Sequence, residues 1–395
     1  MNHLHPNPHT AGTGNAASTD TAQLYMLQPH DLASTYTLAV EEAAHIGTSL
    51  QTLHEALQQH DPARGVVLLD AALQQLGAIE MTLMPETYAT GTTLKSEHAD
   101  VVDGLMNINH VQSPEPAKVV AATLLNATQA CLKLLHIFPT FDVIEAERLR
   151  KGFSAFTHLY ARICRVNATD ASKAGVSVET PVLDAAHSAN LPDPDAPQVD
   201  YLWVWQQGHW IFLTLVQGLT LAFRRLRAAA DRDDLAAMRQ EMETATALMW
   251  ASGAAMKLAG NFEKQIYQDD IRATMVIGDP KSMVEIEVSG IMFWDHHYLV
   301  NVIWKQELAG LLRNLPTGLE DLHREFVHAY KDGLSTGHIG ICARFGGRET
   351  TSLLSSSAMA VEFLEKIETS RLRQIDPMQR AKAMAAESLV IGGVV

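Results

Sequence analysis

Residues 235–249 read LAAMRQEMETATALM, and this stretch decides the fold class. Its apolar residues recur at steps of 3, 4, 3 and 4, which places them on one stripe of a helix. Residues 46–57, 119–137 and 144–166 repeat apolar positions in the same helical manner, and strand-like alternation is rare elsewhere. The sequence therefore predicts an all-α fold, built as a large helical bundle-like domain.

Breaks in the helical pattern divide the chain into two halves. The first residues carry no apolar block, and we predict a disordered tail over 1–28 followed by an N-terminal helical half over 29–166. Several prolines interrupt 167–199, which we interpret as a linker or a long crossing loop. The C-terminal helical half is expected to cover 200–395.

Composition narrows the class of partner. The chain has 30 Lys plus Arg against 45 Asp plus Glu, and its formal net charge of −15 argues against nucleic acid or an anionic membrane as a partner. The most apolar run, 210–223, is shorter than the roughly 20 residues that cross a bilayer, so we expect a buried core helix. Three widely separated cysteines form no C-x-x-C pair, which favours a cytoplasmic location. The apolar end, 389–395, favours a homodimer.

Polar, aromatic and glycine residues crowd together between 261 and 348. If 292–313 forms one helix, four of its polar and aromatic side chains share a face: Trp294, His297, Asn301 and Trp304. A closed aliphatic core has no need of this polarity, because each unpaired buried polar atom costs about 1–3 kcal/mol. The face is therefore typical of a cavity wall, although a core histidine paired with a neighbouring helix is the alternative.

The following helix places two histidines on opposite faces. His323 falls on the apolar face with Phe326 and Tyr330, whereas His328 falls on the opposite, solvated face. A buried imidazole that stays neutral is suited to bind iron, because protonation would consume the lone pair that binds the metal. The loop 335–337, Ser-Thr-Gly, allows close backbone approach to a ligand.

These residues resemble a known family. His323, the pair Ala329-Tyr330 and the 335–337 loop resemble the region around the axial histidine of the tryptophan and indoleamine 2,3-dioxygenases, a superfamily of histidine-ligated haem enzymes. The segment 267–272, YQDDIR, and Trp304 resemble elements of monodechloroaminopyrrolnitrin synthase, a haem relative of those dioxygenases. The resemblance covers roughly 200–350.

The resemblance implies a haem b cofactor in the C-terminal half and tryptophan or a similar aromatic amino acid or indole as substrate, with O2 as a candidate co-substrate. His323 would bind the iron, and His297 is the second candidate. Arg272 would pair with a carboxylate, and an ion pair with a neighbouring aspartate is its structural alternative. The catalytic candidates are His297 and Arg272. The candidates for binding the cofactor are His323, Trp294, Trp304, Tyr267, Ser335, Thr336, Gly337 and Arg344.

Two other classes stay open. A di-iron helical bundle builds its site from Glu-x-x-His pairs, and the chain has at least two such pairs, Glu42 with His45 and Glu325 with His328. A non-catalytic helical scaffold is the third class, in which buried histidines only satisfy their neighbours.

Overall fold

The computed structural model describes residues 23–83, 99–166, 199–278, 285–287, 290–349, 351–352 and 355–377. Helices dominate these residues, and the predicted all-α class is confirmed. Residues 1–22 and 167–198, which make up most of the predicted tail and linker, lie outside the described residues. The division into two halves therefore stays a prediction.

Long helices carry most of the fold. They are α1 (Val40–Leu57), α2 (Pro62–Leu76), α3 (Ala99–Leu105), α4 (Pro116–Ile137), α5 (Val143–Cys164), α6 (Tyr201–Ala230) and α7 (Leu235–Ala259). Shorter helices follow: α8 (Lys264–Ile266), α9 (Trp294–Tyr298), α10 (Ala309–Arg313), α11 (Glu320–His328), α12 (Thr336–Arg344) and α13 (Ala360–Ile375). Between them lie the π-helices Tyr267–Ile271, Leu299–Glu307 and Ala329–Ser335 and the 3₁₀ turns Arg272–Met275 and Gly290–Met292.

Short strands form small sheets beside the helices. The strands are β1 (Leu24–Leu27), β2 (Thr82–Leu83), β3 (Ile108–Gln112), β4 (Val276–Gly278), β5 (Glu285–Glu287), β6 (Thr351–Ser352) and β7 (Ser355–Met359). β3 lies between β1, which is parallel to it, and β2, which is antiparallel. β4 pairs with β5, and β6 pairs with β7, both antiparallel.

Aspartate side chains begin several of the long helices. Asp142 Oδ1 accepts two backbone N–H groups from the first turn of α5, at 2.8 and 3.2 Å. Asp61, Asp200 and Asp234 cap α2, α6 and α7 in the same way. Since a cap of this kind contributes about 1 kcal/mol, these acidic residues help to fix where each helix begins.

α6 and α7 form the centre of the core. The stripe predicted over 235–249 is buried except at Leu235, the first residue of α7. The apolar run 210–223 lies inside α6 and is buried along its whole length, which confirms the predicted core helix. Gly208 allows α6 and α7 to approach closely, because a Cβ at this position would clash with Ala259.

α4 has the length and composition of a membrane-spanning helix, but the fold covers it. In its most apolar window 72% of the residues are buried, and the helix packs against α2 and α6. Its apolar surface is therefore accounted for by contacts within the protein.

The segment predicted as one helix over 292–313 is divided. α9 continues into the π-helix Leu299–Glu307, and α10 follows. A π-helix pairs residues five apart, so it rotates the residues that follow relative to those that precede. The prediction of one shared face is wrong for this reason, and the affected side chains are Trp294, His297, Asn301 and Trp304.

Candidate functional site

A cavity with two lobes lies between α6, α7, α12 and α13. The His296 lobe also contains Tyr330 and Ser335, and the Tyr267 lobe also contains Arg272 and Cys342. The space not filled by atoms, part of which is open to solvent, is about 590 Å³ in the first lobe and about 1030 Å³ in the second. The lobes share His209, Met256, Gly290, Phe293, His338, Leu364 and Ile367. The cavity is mostly apolar, and histidines supply much of its polarity.

Three elements each bring one histidine to this cavity. His209 comes from α6, His296 from α9 and His338 from α12. The Nδ1–H of His209 donates to the Trp205 carbonyl at 2.7 Å, and the Nδ1–H of His296 donates to the Gly290 carbonyl at 3.0 Å. Because a carbonyl oxygen only accepts, both rings keep a lone pair on Nε2 when they are neutral.

All three imidazoles are held neutral. Burial lowers the pKa of His209 to about 4. Burial, together with the positive charge of Arg371, lowers the pKa of His296 to about 3 and that of His338 to about 4. At pH 7 the cavity therefore offers imidazole lone pairs rather than cations.

His338 differs from the other two histidines. Its ring has no hydrogen-bond partner among the residues that the structure describes, although it lines both lobes. The side chain is half-buried, so its ring can contact a ligand bound in the cavity. Cys342, one helical turn further along α12, lines the Tyr267 lobe. Burial raises the pKa of its thiol to about 11, so the thiol stays protonated at neutral pH.

A buried ionic network holds α9 in place. His110 lies between two carboxylates, with Nδ1 3.0 Å from Asp103 Oδ2 and Nε2 2.8 Å from Asp295 Oδ2. The other Asp295 oxygen accepts from Gln217 Nε2 at 2.8 Å. Burial alone would lower the pKa of His110, but the two carboxylates outweigh burial and raise it to about 10. The network fixes Asp295, which directly precedes His296 in the chain.

Three of the residues predicted from sequence do lie at the cavity. Arg272 and Tyr267 line the Tyr267 lobe. Arg272 Nη2 lies 3.5 Å from the Thr351 carbonyl, and the Tyr267 ring stacks on Phe345 with centroids 4.3 Å apart. Ser335 lines the His296 lobe.

His323 is buried, as predicted, but it does not line the cavity. Its Nε2 lies 2.6 Å from the Ile375 carbonyl, to which it donates. His328 is exposed, as predicted, and lies 2.5 Å from Asp332. The structure thus places His323 in the core with its Nε2 already paired, and its role as the iron ligand stays a prediction.

The other predicted site residues lie outside the cavity lining. Trp294 packs on His110 with ring centroids 5.0 Å apart, and Trp304 packs edge-on against Tyr330 at 5.8 Å. His297, the second candidate ligand, is half-buried in α9.

The predicted loop and anion-binding residues also lie outside the lining. Thr336 is exposed, and Gly337 lies against the aliphatic part of Lys257. Arg344 donates to the Gly260 carbonyl and lies over the Phe345 ring at 5.1 Å, so it contacts the wall of the Tyr267 lobe from outside.

The di-iron alternative finds no support in the described part of the chain. His45, Glu325 and His328 are exposed, and no group of three or more His, Cys, Asp or Glu residues is arranged there to hold a metal ion. A site with one histidine ligand, as in many haem proteins, needs no such group.

Sequence reasoning missed the residues that dominate the cavity: His209, His296, His338, Cys342 and Arg371. One signal was readable, because His338 and Cys342 are four residues apart and so share a helix face. The choice between His296 and His297 required the start of α9, which the sequence pattern does not define.

Comparisons with known proteins give one consistent match. The family model described as SfmD 3-methyl-L-tyrosine peroxygenase matches residues 26–321. The 3-methyl-L-tyrosine peroxygenase of Streptomyces lavendulae is 32% identical over 183 residues, which are 43% of this chain and 47% of that protein. The match thus spans about half the length of this relative. The crystal structure of reduced SfmD, soaked with sodium hydrosulfite, covers 82% of this chain and 98% of its own, with a TM-score of 0.54 and 21% identity. That likeness shows a shared fold.

Proposed function

Because the chain belongs to the SfmD 3-methyl-L-tyrosine peroxygenase family, we propose that it binds haem in the two-lobed cavity and oxidises an aromatic amino acid there. The observation that carries this proposal is the unpaired, neutral imidazole of His338 in a mostly apolar cavity. The predicted reaction class, a haem-dependent oxidation of an aromatic amino acid, agrees with this family. The finer likeness to monodechloroaminopyrrolnitrin synthase is not confirmed.

The residues present fit haem. An apolar wall suits a porphyrin, and His338 supplies a nitrogen lone pair that the described residues leave unused. Arg272, in the Tyr267 lobe, is a planar donor suited to a propionate. When bound, haem would supply the redox chemistry that moves one oxygen atom from a peroxide to an aromatic carbon.

The chain's own residues would prepare this reaction. His296 keeps its Nδ1–H on the Gly290 carbonyl, so its neutral Nε2 has a lone pair that can accept a hydrogen bond from a bound substrate or peroxide. Phe212 and Phe293 line the same lobe and help to exclude water.

We infer that the substrate is an aromatic amino acid of the tyrosine type, since the relative is described as acting on 3-methyl-L-tyrosine. The balanced reaction joins a ring C–H and hydrogen peroxide to give a ring C–OH and water. Tryptophan and indoles, which the earlier resemblance implied, are the competing class, and O2 with a reductant is the competing oxidant. A difference titration of the haem spectrum with 3-methyl-L-tyrosine and with tryptophan separates the two substrates.

An extraction experiment distinguishes haem that is held by coordination alone from haem that is bound covalently. The haem b implied by the resemblance is held by coordination alone and would partition into acidified acetone. The thiol of Cys342 lies in the same cavity, and a thioether formed by its addition to a vinyl group would keep the haem on the chain. Extraction of wild-type protein and of Cys342→Ser tests both forms.

The central experiment compares two histidine variants. We expect His338→Ala to lose the Soret band of the reconstituted protein and to regain it when imidazole is added, because free imidazole can occupy the vacated position. His323→Ala is the matched control, since it removes a buried histidine outside the cavity, and it should retain haem. Full occupancy in His338→Ala without imidazole, or loss of haem only in His323→Ala, would contradict the proposal. A cytoplasmic location and a homodimer stay predictions, and the 389–395 end lies outside the described residues.

A further inference from the structure

Arg371 brings a guanidinium group into the His296 lobe. It belongs to α13 and lines this lobe together with His296, His338 and Tyr330. It lies beyond residue 321, where the match to the family model ends. The comparison therefore assigns no role to this residue.

The charge of Arg371 has no carboxylate partner in the described part of the chain. The side chain bonds to Tyr330, which is a neutral phenol. Glu368, one turn earlier on α13, instead accepts from Ser335 Oγ at 2.5 Å. Burial lowers the pKa of Arg371, and the bond to Tyr330 offsets this only in part. A guanidinium stays charged in proteins, so the lobe holds a half-buried cation with no carboxylate partner among the described residues.

The other residues that line the His296 lobe cannot neutralise the charge of Arg371. His209, His296 and His338 are neutral at pH 7, and the other lining groups of this lobe are apolar, hydroxyl or backbone groups. Arg371 is thus the one formal charge among the described residues that line the His296 lobe. Its guanidinium has five N–H donors, and the phenol of Tyr330 does not exhaust them.

We propose that Arg371 anchors a carboxylate-binding subsite in the His296 lobe. A planar guanidinium matches a carboxylate with two parallel hydrogen bonds. This inference rests on the proposed function, which provides two sources of that group: the α-carboxylate of the amino acid and a propionate of haem. A carboxylate bound here would hold an amino acid in the lobe that contains His296.

The test compares Arg371→Met, Arg371→Lys and the control Arg373→Gln, an exposed arginine of the same helix. Calorimetry measures the binding of L-tyrosine and of tyramine, which lacks the carboxylate, to haem-loaded protein. We expect Arg371→Met to weaken L-tyrosine binding by roughly 10- to 100-fold, as for the loss of a charged hydrogen-bond partner, and to leave tyramine binding unchanged. Arg371→Lys should recover part of the loss, and Arg373→Gln should bind like wild type.

A second measurement distinguishes the source of the carboxylate. If Arg371 holds a propionate, Arg371→Met will release haem faster to apomyoglobin while both ligands bind as before. No effect on L-tyrosine binding or on haem release would overturn the subsite. A structural role predicts a lower midpoint of urea unfolding in the apoprotein, whereas removal of a half-buried charge that has no carboxylate partner among the described residues predicts an equal or higher midpoint.

These outcomes are distinct from those of the proposed function. If wild-type protein binds no haem, the proposed function fails, and the contrast between L-tyrosine and tyramine can still be measured on the apoprotein.

Discussion

Removal of the His110 side chain tests the buried ionic network under α9. The ring bridges Asp103 and Asp295 at 3.0 and 2.8 Å. His110→Ala leaves two buried carboxylates facing an empty space with no cation between them. We therefore expect a loss of stability well above that of an average point substitution.

The raised pKa of His110 sets the size of the expected loss in the free energy of unfolding. The pKa of His110 is raised from 6.5 to about 10, and each unit corresponds to about 1.4 kcal/mol, so the network favours the protonated ring by roughly 4–5 kcal/mol at most. Removing one partner of a buried ion pair costs a similar amount, about 3–5 kcal/mol. We expect His110→Ala to lower the free energy of unfolding by about 3–5 kcal/mol at pH 6.

The pH dependence of the stability difference between wild type and His110→Ala shows whether His110 is charged in the folded protein. Because the pKa is higher in the folded protein, the contribution of His110 is fully present below pH 6.5, and it is lost as the pH rises through about 10. Urea unfolding, followed by tryptophan fluorescence between pH 6 and 10, gives the difference between wild type and variant at each pH. This difference should shrink steadily across that range.

A nearby histidine provides the control. His30 packs on Trp294 with ring centroids 5.6 Å apart, but it is exposed. His30→Ala should change stability by less than about 1 kcal/mol. If the gap between wild type and His110→Ala stays constant from pH 6.5 to 10, His110 is not an imidazolium in the folded protein and the reasoning fails.

Two further predictions concern the core and the cavity. Gly208→Ala should destabilise the protein by about 1–3 kcal/mol in urea unfolding, because the added Cβ would clash with Ala259; Gly310→Ala, where a Cβ meets nothing within 4 Å, should be neutral. In the apoprotein, His209→Phe should lose less stability than wild type between pH 6.5 and 4. The pKa of His209 is lowered to about 4, so its contribution is present above pH 6.5 and is lost as the pH falls through 4; equal slopes for both proteins would contradict this account.

Periodicity predicted the scaffold because burial of an apolar stripe is a local property of a helix. The stripe over 235–249 and the core run 210–223 are buried where the pattern placed them. The inward direction of His323 and the outward direction of His328 were correct for the same reason. Periodicity shows which face of a helix is buried, but not whether a cavity or packed protein covers that face.

The site depends on information that a helical pattern does not contain. The π-helix Leu299–Glu307 changes the register after α9, so the predicted shared face was lost. The start of α9, which the pattern does not define, places His296 and not His297 at the cavity. The Nε2 of His323 is hydrogen-bonded to the backbone carbonyl of Ile375, which is more than fifty residues away in the sequence. Long-range contacts of this kind decide which buried histidine is already paired and which one is left for a ligand.

The polar groups around α9 have opposite charge states for one physical reason. His110 and His296 are both buried, yet His110 is a cation and His296 is neutral. His110 has two carboxylates within 3.0 Å, whereas His296 has a backbone carbonyl and the positive charge of Arg371. Asp295 and His296, which are adjacent in α9, thus have different roles. Asp295 binds the cation that anchors the helix, and this anchoring holds a neutral imidazole in the cavity.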